Sequence, residues 1–374
     1  MIFNNNKGVN FSHEFCASGN NFIDIALHNR KKLLQQGPEY ILSLETSCDE
    51  TAAAVITENK NSPELISSQV ASQIDAHEKF GGVVPEIASR RHLELIETVI
   101  EKAVDEAGIT FEQITAITAT QGPGLVGALL VGFAAGKALA YAQKVPFIAA
   151  NHVAGHIYAN FLVHDNIETP FVCLTVSGGH TDLLYFSNKT DYKILGRTRD
   201  DAAGEAFDKI ARFLDLGYPG GPEIENIAKK GDPDNVELPR ALDDKKTYDF
   251  SFSGLKTAVI NYVHNARQRE ENVNISDLAA SFQQAVVESL IPQVERAVKE
   301  HNPHSLLLAG GVAANSLLRE RFSELADRNG IPLYLPPLEL CTDNAAMIGA
   351  AAFYRLQSEE VDNLAAEVKP TLTM

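Results

Sequence analysis

Two histidines four residues apart, in the segment His152-Val-Ala-Gly-His156, are the strongest chemical signal in the chain. On a helix that spacing puts both imidazoles on one face, where they can grip a single metal ion. A zinc protease would carry Glu directly after the first histidine. Here that position is Val153, so the general base of that mechanism is missing. The plain alternative is a pair of partly buried structural histidines. A third ligand must come from elsewhere, and Asp343 and His180 are the candidates by type.

Two glycine turns follow apolar runs: Ser177-Gly-Gly-His-Thr181 and Gly310-Gly-Val-Ala-Ala-Asn315. Glycine lets the backbone approach a phosphate, and the free N–H groups of such turns attract anions. Neither turn matches the Walker pattern or Gly-x-Gly-x-x-Gly, but two of them around an apparent duplication favour a nucleotide site over ordinary turns. Glu45-Thr-Ser-Cys-Asp-Glu50 puts Glu45, Asp49, Glu50 and two hydroxyls into one turn. Such a turn can orient a reacting group or complete a metal shell through water; otherwise it is a solvated hairpin. Cys48 has no His or cation paired with it locally, which suits a small buried residue better than a nucleophile. Lys137, in an apolar helix, reads as snorkelling. Asp208 is of a type and place to accept hydrogen bonds from a ligand; its alternative is a helix-surface acid.

These residues need elements to hold them. Ile41–Leu44 and Ala52–Ile56 flank the carboxylate turn as strand, turn, strand. Helical spacing runs from Pro85 to Glu106, and Gly108 stops it. A strand at 114–120, a buried helix at 128–142 and a strand at 145–149 lead to the His pair. Phe171–Val176 and Asp182–Phe186 flank the first glycine turn. Laid over the first hairpin at an offset of 130 residues, that segment places Ser177 on Ser47 and Thr181 on Thr51, which suggests a duplicated domain. Strands alternating with helices predict an α/β architecture. The expected organisation is a poorly ordered extension over 1–39, a first α/β domain over 40–150, a second over 151–356, and a tail over 357–374. Ser187–Lys256, rich in charge and turns, reads as an insertion within the second domain.

Lys and Arg number 32 against 49 Asp and Glu, a net charge of −17 over 374 residues. That argues against a general nucleic-acid binder, which needs a basic surface. The 45% hydrophobic content is globular. Cys16, Cys48, Cys173 and Cys341 form no Cys-x-x-Cys pair, so a Cys-type zinc site and a disulfide scaffold are excluded and a reducing compartment is expected. The apolar stretch 124–141 is broken by Lys137 and glycines, and no membrane partner is expected. The first 39 residues lack a signal core and are not acid-poor as a mitochondrial leader should be. Location in the cytoplasm is the expectation.

Taken together, the chain resembles the tRNA N6-adenosine threonylcarbamoyltransferase family (TsaD, formerly called O-sialoglycoprotein endopeptidase). The resemblance rests on Glu45–Thr51, Gly122–Leu125, Asn151–His156, Val176–Thr181, Gly204–Lys209, Tyr218–Pro222, Phe250–Lys256, Gly310–Asn315 and Cys341–Asn344, in unbroken order across residues 40 to 356. It implies the actin, sugar-kinase and Hsp70-like ATPase fold, two duplicated α/β domains around a nucleotide cleft. It implies one divalent metal, iron first and zinc second, on His152, His156 and Asp343. It implies a substrate site at Thr175, Val176, Ser177, Gly178, Gly179, Asp208, Gly221 and Asn315; Glu225 departs from the Asp common in the family. The implied reaction moves threonylcarbamoyl from threonylcarbamoyl-AMP to N6 of adenosine 37 in tRNAs reading codons that begin with A, releasing AMP. Asp49 and Glu50 are the candidate bases. In bacteria the implied partners are a degenerate paralogue (TsaB-like) and a small P-loop ATPase (TsaE-like). Metalloprotease, sugar kinase or ATPase, and non-catalytic scaffold are the competing readings. A tRNA substrate sits awkwardly with the acidity. Ser187–Lys256, however, holds 12 of the 32 basic residues, which leaves room for a local basic rim.

Overall fold

The computed structural model describes residues 19–240 and 247–374. Among them, ten strands make two five-stranded sheets. The first holds β1 (Tyr40–Glu45), β2 (Glu50–Asn59), β3 (Ser62–Ser72), β4 (Ala116–Gly122) and β5 (Phe147–Asn151), in the order β3-β2-β1-β4-β5. The second holds β6 (Phe171–Val176), β7 (Thr181–Phe186), β8 (Tyr192–Arg197), β9 (Ser305–Ala309) and β10 (Leu333–Tyr334), in the order β10-β9-β6-β7-β8. Taken from its β8 edge, the second sheet repeats the first. In each, an antiparallel hairpin is joined by a parallel strand. The register repeats as well: Ile41 pairs with Ile56, and Phe171 with Phe186, each 130 positions further on. The run Ala52–Ile56 is apolar at every position because helices cover both faces of its sheet and every residue in it is buried.

Three expectations need correction. The last helix, Ala345–Gln357, was expected in the second domain, yet it packs on β1, β2 and β5. Its Met347, Ile348 and Phe353 join Ile41 and Ala52 of the first sheet to Phe171 and Leu184 of the second in one apolar cluster. Together with helix His152–Tyr158, which touches β5, β6 and β9, the helix fills the space between the two sheets. The chain beyond it also returns to the first sheet: Asp362 accepts from Ala149 N at 2.8 Å, and Lys369 N donates to the Gln121 carbonyl at 2.7 Å.

The described part of the expected insertion over Ser187–Lys256 belongs to the second core, and residues 241–246 lie outside the described residues. β8 closes its sheet, and helices Ala203–Phe213 and Gly220–Ala228 supply Phe207, Ile210 and Ile224. The expected disorder over 1–39 does not hold for the described part. Gly19–Leu34 is a helix with Ala26 buried and Arg30 paired with buried Glu39 at 2.6 Å. Residues 1–18 lie outside the described residues.

Helix Val126–Gln143 is long and apolar enough, by composition alone, to cross a membrane. It packs on β4 and on helix Pro85–Glu106, and Lys137 Nζ donates to the Ala366 carbonyl at 2.9 Å. That contact with the C-terminal segment explains a lysine in so apolar a helix.

Candidate metal centre and substrate cleft

β5 ends at Asn151, whose side chain accepts from Val153 N at 2.8 Å and Ala154 N at 3.1 Å. That cap starts the short helix His152–Tyr158 and fixes its direction. His152 and His156 share one face, ring centroids 4.8 Å apart. Gly155, one residue before His156, meets helix Ala345–Gln357. A Cβ there would sit 2.9 Å from Ile348 Cδ1 and 3.1 Å from Met347 Cγ, so glycine lets this helix lie against Ala345–Gln357 without a shift of those side chains. Asn344 caps that second helix by accepting from Met347 N at 2.9 Å. Asp343, just before the cap, is thereby held over the histidines. Its Oδ1 is 3.4 Å from His152 Nε2 and 3.3 Å from His156 Nε2.

The three ligand atoms lie within 4.8 Å of one another, a grouping that could hold a metal ion. His180 lines the neighbouring cleft but is not in the group. Nδ1 of His156 is buried with no hydrogen-bond partner, and Nε2 has only the 3.3 Å approach to Asp343, which is not an aligned hydrogen bond. Native interiors rarely leave an imidazole so. Two imidazoles and a carboxylate facing one point fit zinc or iron. Electrostatics agree. Burial opposes charge on His152, but Asp343 and Glu45 outweigh it and lift the imidazole to about 9. Burial would likewise raise Asp343, but the charges of His152 and His156 hold it down at about 2.

A cavity of about 500 Å³ opens beside this group, walled by Ser47, Cys48, the Pro123–Leu125 turn, Ser177–His180, Asp208, Arg212, Tyr218 and Asp343. A second, of about 250 Å³, is walled by Phe207, Gly221, Glu225, Val312, Asn315 and Thr342. The two share Gly178 and Asp208.

Most of the expected substrate residues meet here. Ser177, Gly178 and Gly179 form the turn after β6. Gly310 backs it at φ +90, where a side chain would collide with the Val176 carbonyl. Asp208 accepts from Gly220 N at 2.8 Å, which anchors the helix that presents Gly221; burial raises its carboxyl above the usual range. Asn315 caps helix Ser316–Asn329 through Leu318 N at 3.0 Å and donates to Gln283 Oε1 at 2.9 Å. Glu225 accepts from Ser316 N at 3.2 Å, so the longer acid is tied to the same cap. Thr175 and Val176 differ from expectation: both are fully buried within β6 and wall neither cavity. Asp49 and Glu50 stand behind Ser47 and Cys48 rather than in the cavity wall. Burial, Asp343 and Asp49 push Glu50 up to about 10.

The sequence did not single out Arg212, Gly82 or His92. Arg212 reaches from the second half to the Gly81 carbonyl at the cavity mouth. His92 is buried, 2.8 Å from Thr51 Oγ1 and 3.0 Å from the Cys48 carbonyl. It holds the carboxylate turn from behind. The one available signal was the pair Gly81-Gly82 just before a helix.

In sequence, residues 64–350 match the family described as TsaD, tRNA N6-adenosine threonylcarbamoyltransferase. A Bacillus cereus protein of that name is 54% identical over 333 residues, 89% of this chain and 96% of its own length. One from Clostridium kluyveri is 51% identical over 335 residues, 89% and 97% of the respective chains. Among solved structures, full-length HypF in its phosphate- and nucleotide-bound form superposes with a TM-score of 0.57 at 13% identity. It covers 87% of this chain and 56% of its own, a likeness of fold alone.

Proposed function

The chain belongs to the tRNA N6-adenosine threonylcarbamoyltransferase family, and from that premise we propose how its cleft carries out the transfer. The enzyme forms threonylcarbamoyl-adenosine on tRNA, an acyl transfer to N6 of adenosine 37 from threonylcarbamoyl-AMP. The observation that carries our assignment is the pair of adjoining cavities, one of which is flanked by the His152, His156 and Asp343 group.

The smaller cavity takes the adenylate. Asn315, Glu225 and Gly221 face its nucleoside, and the Ser177–Gly179 turn lies where the two cavities meet, at the phosphate. The larger cavity takes the threonylcarbamoyl group and admits the acceptor adenine. When bound at the histidines, a divalent metal, iron in our reading and zinc as the alternative, supplies a Lewis acid and a template for the acyl group. The N6–carbon bond forms, the bond from the acyl carbon to the phosphate oxygen breaks, and AMP leaves. The amine proton passes to the Asp49 and Glu50 pair. Neither carboxylate walls the cavity, so the transfer runs through a water.

Val153 in the place of a protease glutamate speaks against the peptidase reading. We place the enzyme in the cytoplasm with its tRNA. For the degenerate paralogue, the fitting surface is the exposed row Leu93, Val126 and Leu130. It spans two helices that touch where Gly127 abuts Ser89. The P-loop ATPase would join that assembly.

Purified Asp343→Asn and Glu50→Gln separate the roles. Asp343→Asn should lose bound metal and transfer together. Glu50→Gln should keep metal while the transfer step slows about 10²-fold or more. Full transfer by Glu50→Gln and Asp49→Asn alike, with metal bound normally, sinks the assignment of the base.

A further inference from the structure

The two metal-facing imidazoles are not equivalent. His156 has no partner on its far nitrogen, Nδ1. His152 Nδ1 lies 3.1 Å from Glu45 Oε2 and 3.1 Å from Ser47 Oγ. Glu45 ends β1 and is fully buried, an unusual place for a carboxylate. Its remaining bonds are short and local: Thr120 Oγ1 donates to Oε2 at 2.6 Å, and Ser47 N donates to Oε1.

We propose that Glu45 is a positioning residue for the metal centre: it accepts the Nδ1 proton of His152 and so presents a bare Nε2 lone pair to the ion. The proposal rests on the metal reading above and adds the group that fixes one ligand's tautomer. Such outer carboxylates set the ring orientation and raise the basicity of the ligand. Each oxygen of Glu45 faces an N–H donor, Ser47 N on one and His152 Nδ1 on the other. An amide has one acceptor oxygen. Glu45→Gln that keeps the Ser47 bond turns its NH₂ toward His152. The imidazole then carries its proton on Nε2, where it blocks the ion.

The test is zinc affinity of the purified full chain, by competition with a chromogenic chelator, alongside ¹⁵N NMR of the histidine rings. Glu45→Gln should bind zinc about 10–100-fold more weakly than wild type and, in spectra of the metal-free chain taken at a pH high enough for the ring to be neutral, should shift the His152 proton from Nδ1 to Nε2. Wild-type affinity with an unchanged ring overturns the proposal and leaves the metal reading intact. A wild-type chain that binds zinc no better than His152→Ala overturns both. Should Glu45→Gln fail to fold, Thr120→Val frees the same oxygen without touching the histidine. It should weaken zinc binding several-fold, and unchanged affinity there also overturns the proposal.

Discussion

At the scale of single residues, the chemistry was legible where residue type and spacing suffice. The His152 and His156 pair announces itself on one helix face. Asp343, by contrast, is 187 residues from His156 and acquires its place only through the cap at Asn344. His180 sits beside the same cleft but outside the ligand group, a difference no spacing could reveal. His92 was invisible for the same reason, since its partners Thr51 and Cys48 are remote in sequence. It gives a test of how the carboxylate turn is held. Burial lowers the folded-state pKa of His92 below 6.5. The unfolded chain therefore binds that proton more tightly, and the contribution is complete above about pH 6.5 and lost as pH falls toward the folded value. His92→Asn should cost about 1–3 kcal/mol at pH 7.5. Denaturant unfolding should find the gap to wild type narrowed at pH 5.5. A gap equal at both pH values would show that His92 titration does not support the turn.

At the scale of elements, the hairpins and their repeat could be read because strand alternation and polar turns are local signals. The 130-residue offset appears again in the pairing of Ile41 with Ile56 and Phe171 with Phe186. What local signals could not give is which sheet a helix chooses. Ala345–Gln357 is apolar nearly all round because it lies between sheets, and its alanine-rich sequence says only that it is buried. The charge of Ser187–Lys256 misled in a similar way. Lys209 and Lys256 both pair with Asp201 at 2.6 Å, so the charge of this stretch is bonded within the fold and does not mark an appendage. The N-terminal helix Gly19–Leu34 makes the clearest prediction at this scale. Asn29 donates to the carbonyls of Gln143 and Lys144 at 3.2 Å, and Arg30 neutralises buried Glu39. Arg30→Ala strands that carboxylate and should cost about 3–5 kcal/mol. Arg30→Met with Glu39→Leu should recover most of it. Thermal unfolding checks both, and an unchanged midpoint for Arg30→Ala would mean the helix is not docked as described.

At the scale of the whole molecule, a net charge of −17 must coexist with a tRNA substrate. The basic residues of Ser187–Lys256 looked like a local rim, but Arg199, Lys209 and Lys256 are paired with Asp249 and Asp201. That leaves less free positive charge than composition implied. The isolated chain should bind tRNA weakly, with affinity falling at least about tenfold between 50 and 200 mM salt, and more tightly once the proposed partners are added. Filter binding across a salt series reads this directly, and tight, salt-insensitive binding by the chain alone would contradict it.

The proposed His152, His156 and Asp343 centre is where this cleft would make threonylcarbamoyl-adenosine. The most direct measurement is mass spectrometry of tRNA nucleosides from cells depleted of the protein and complemented with wild type or His152→Ala. Depletion should remove the modified nucleoside, wild type should restore it and His152→Ala should not. An unchanged nucleoside after depletion, or full restoration by His152→Ala, would contradict the account.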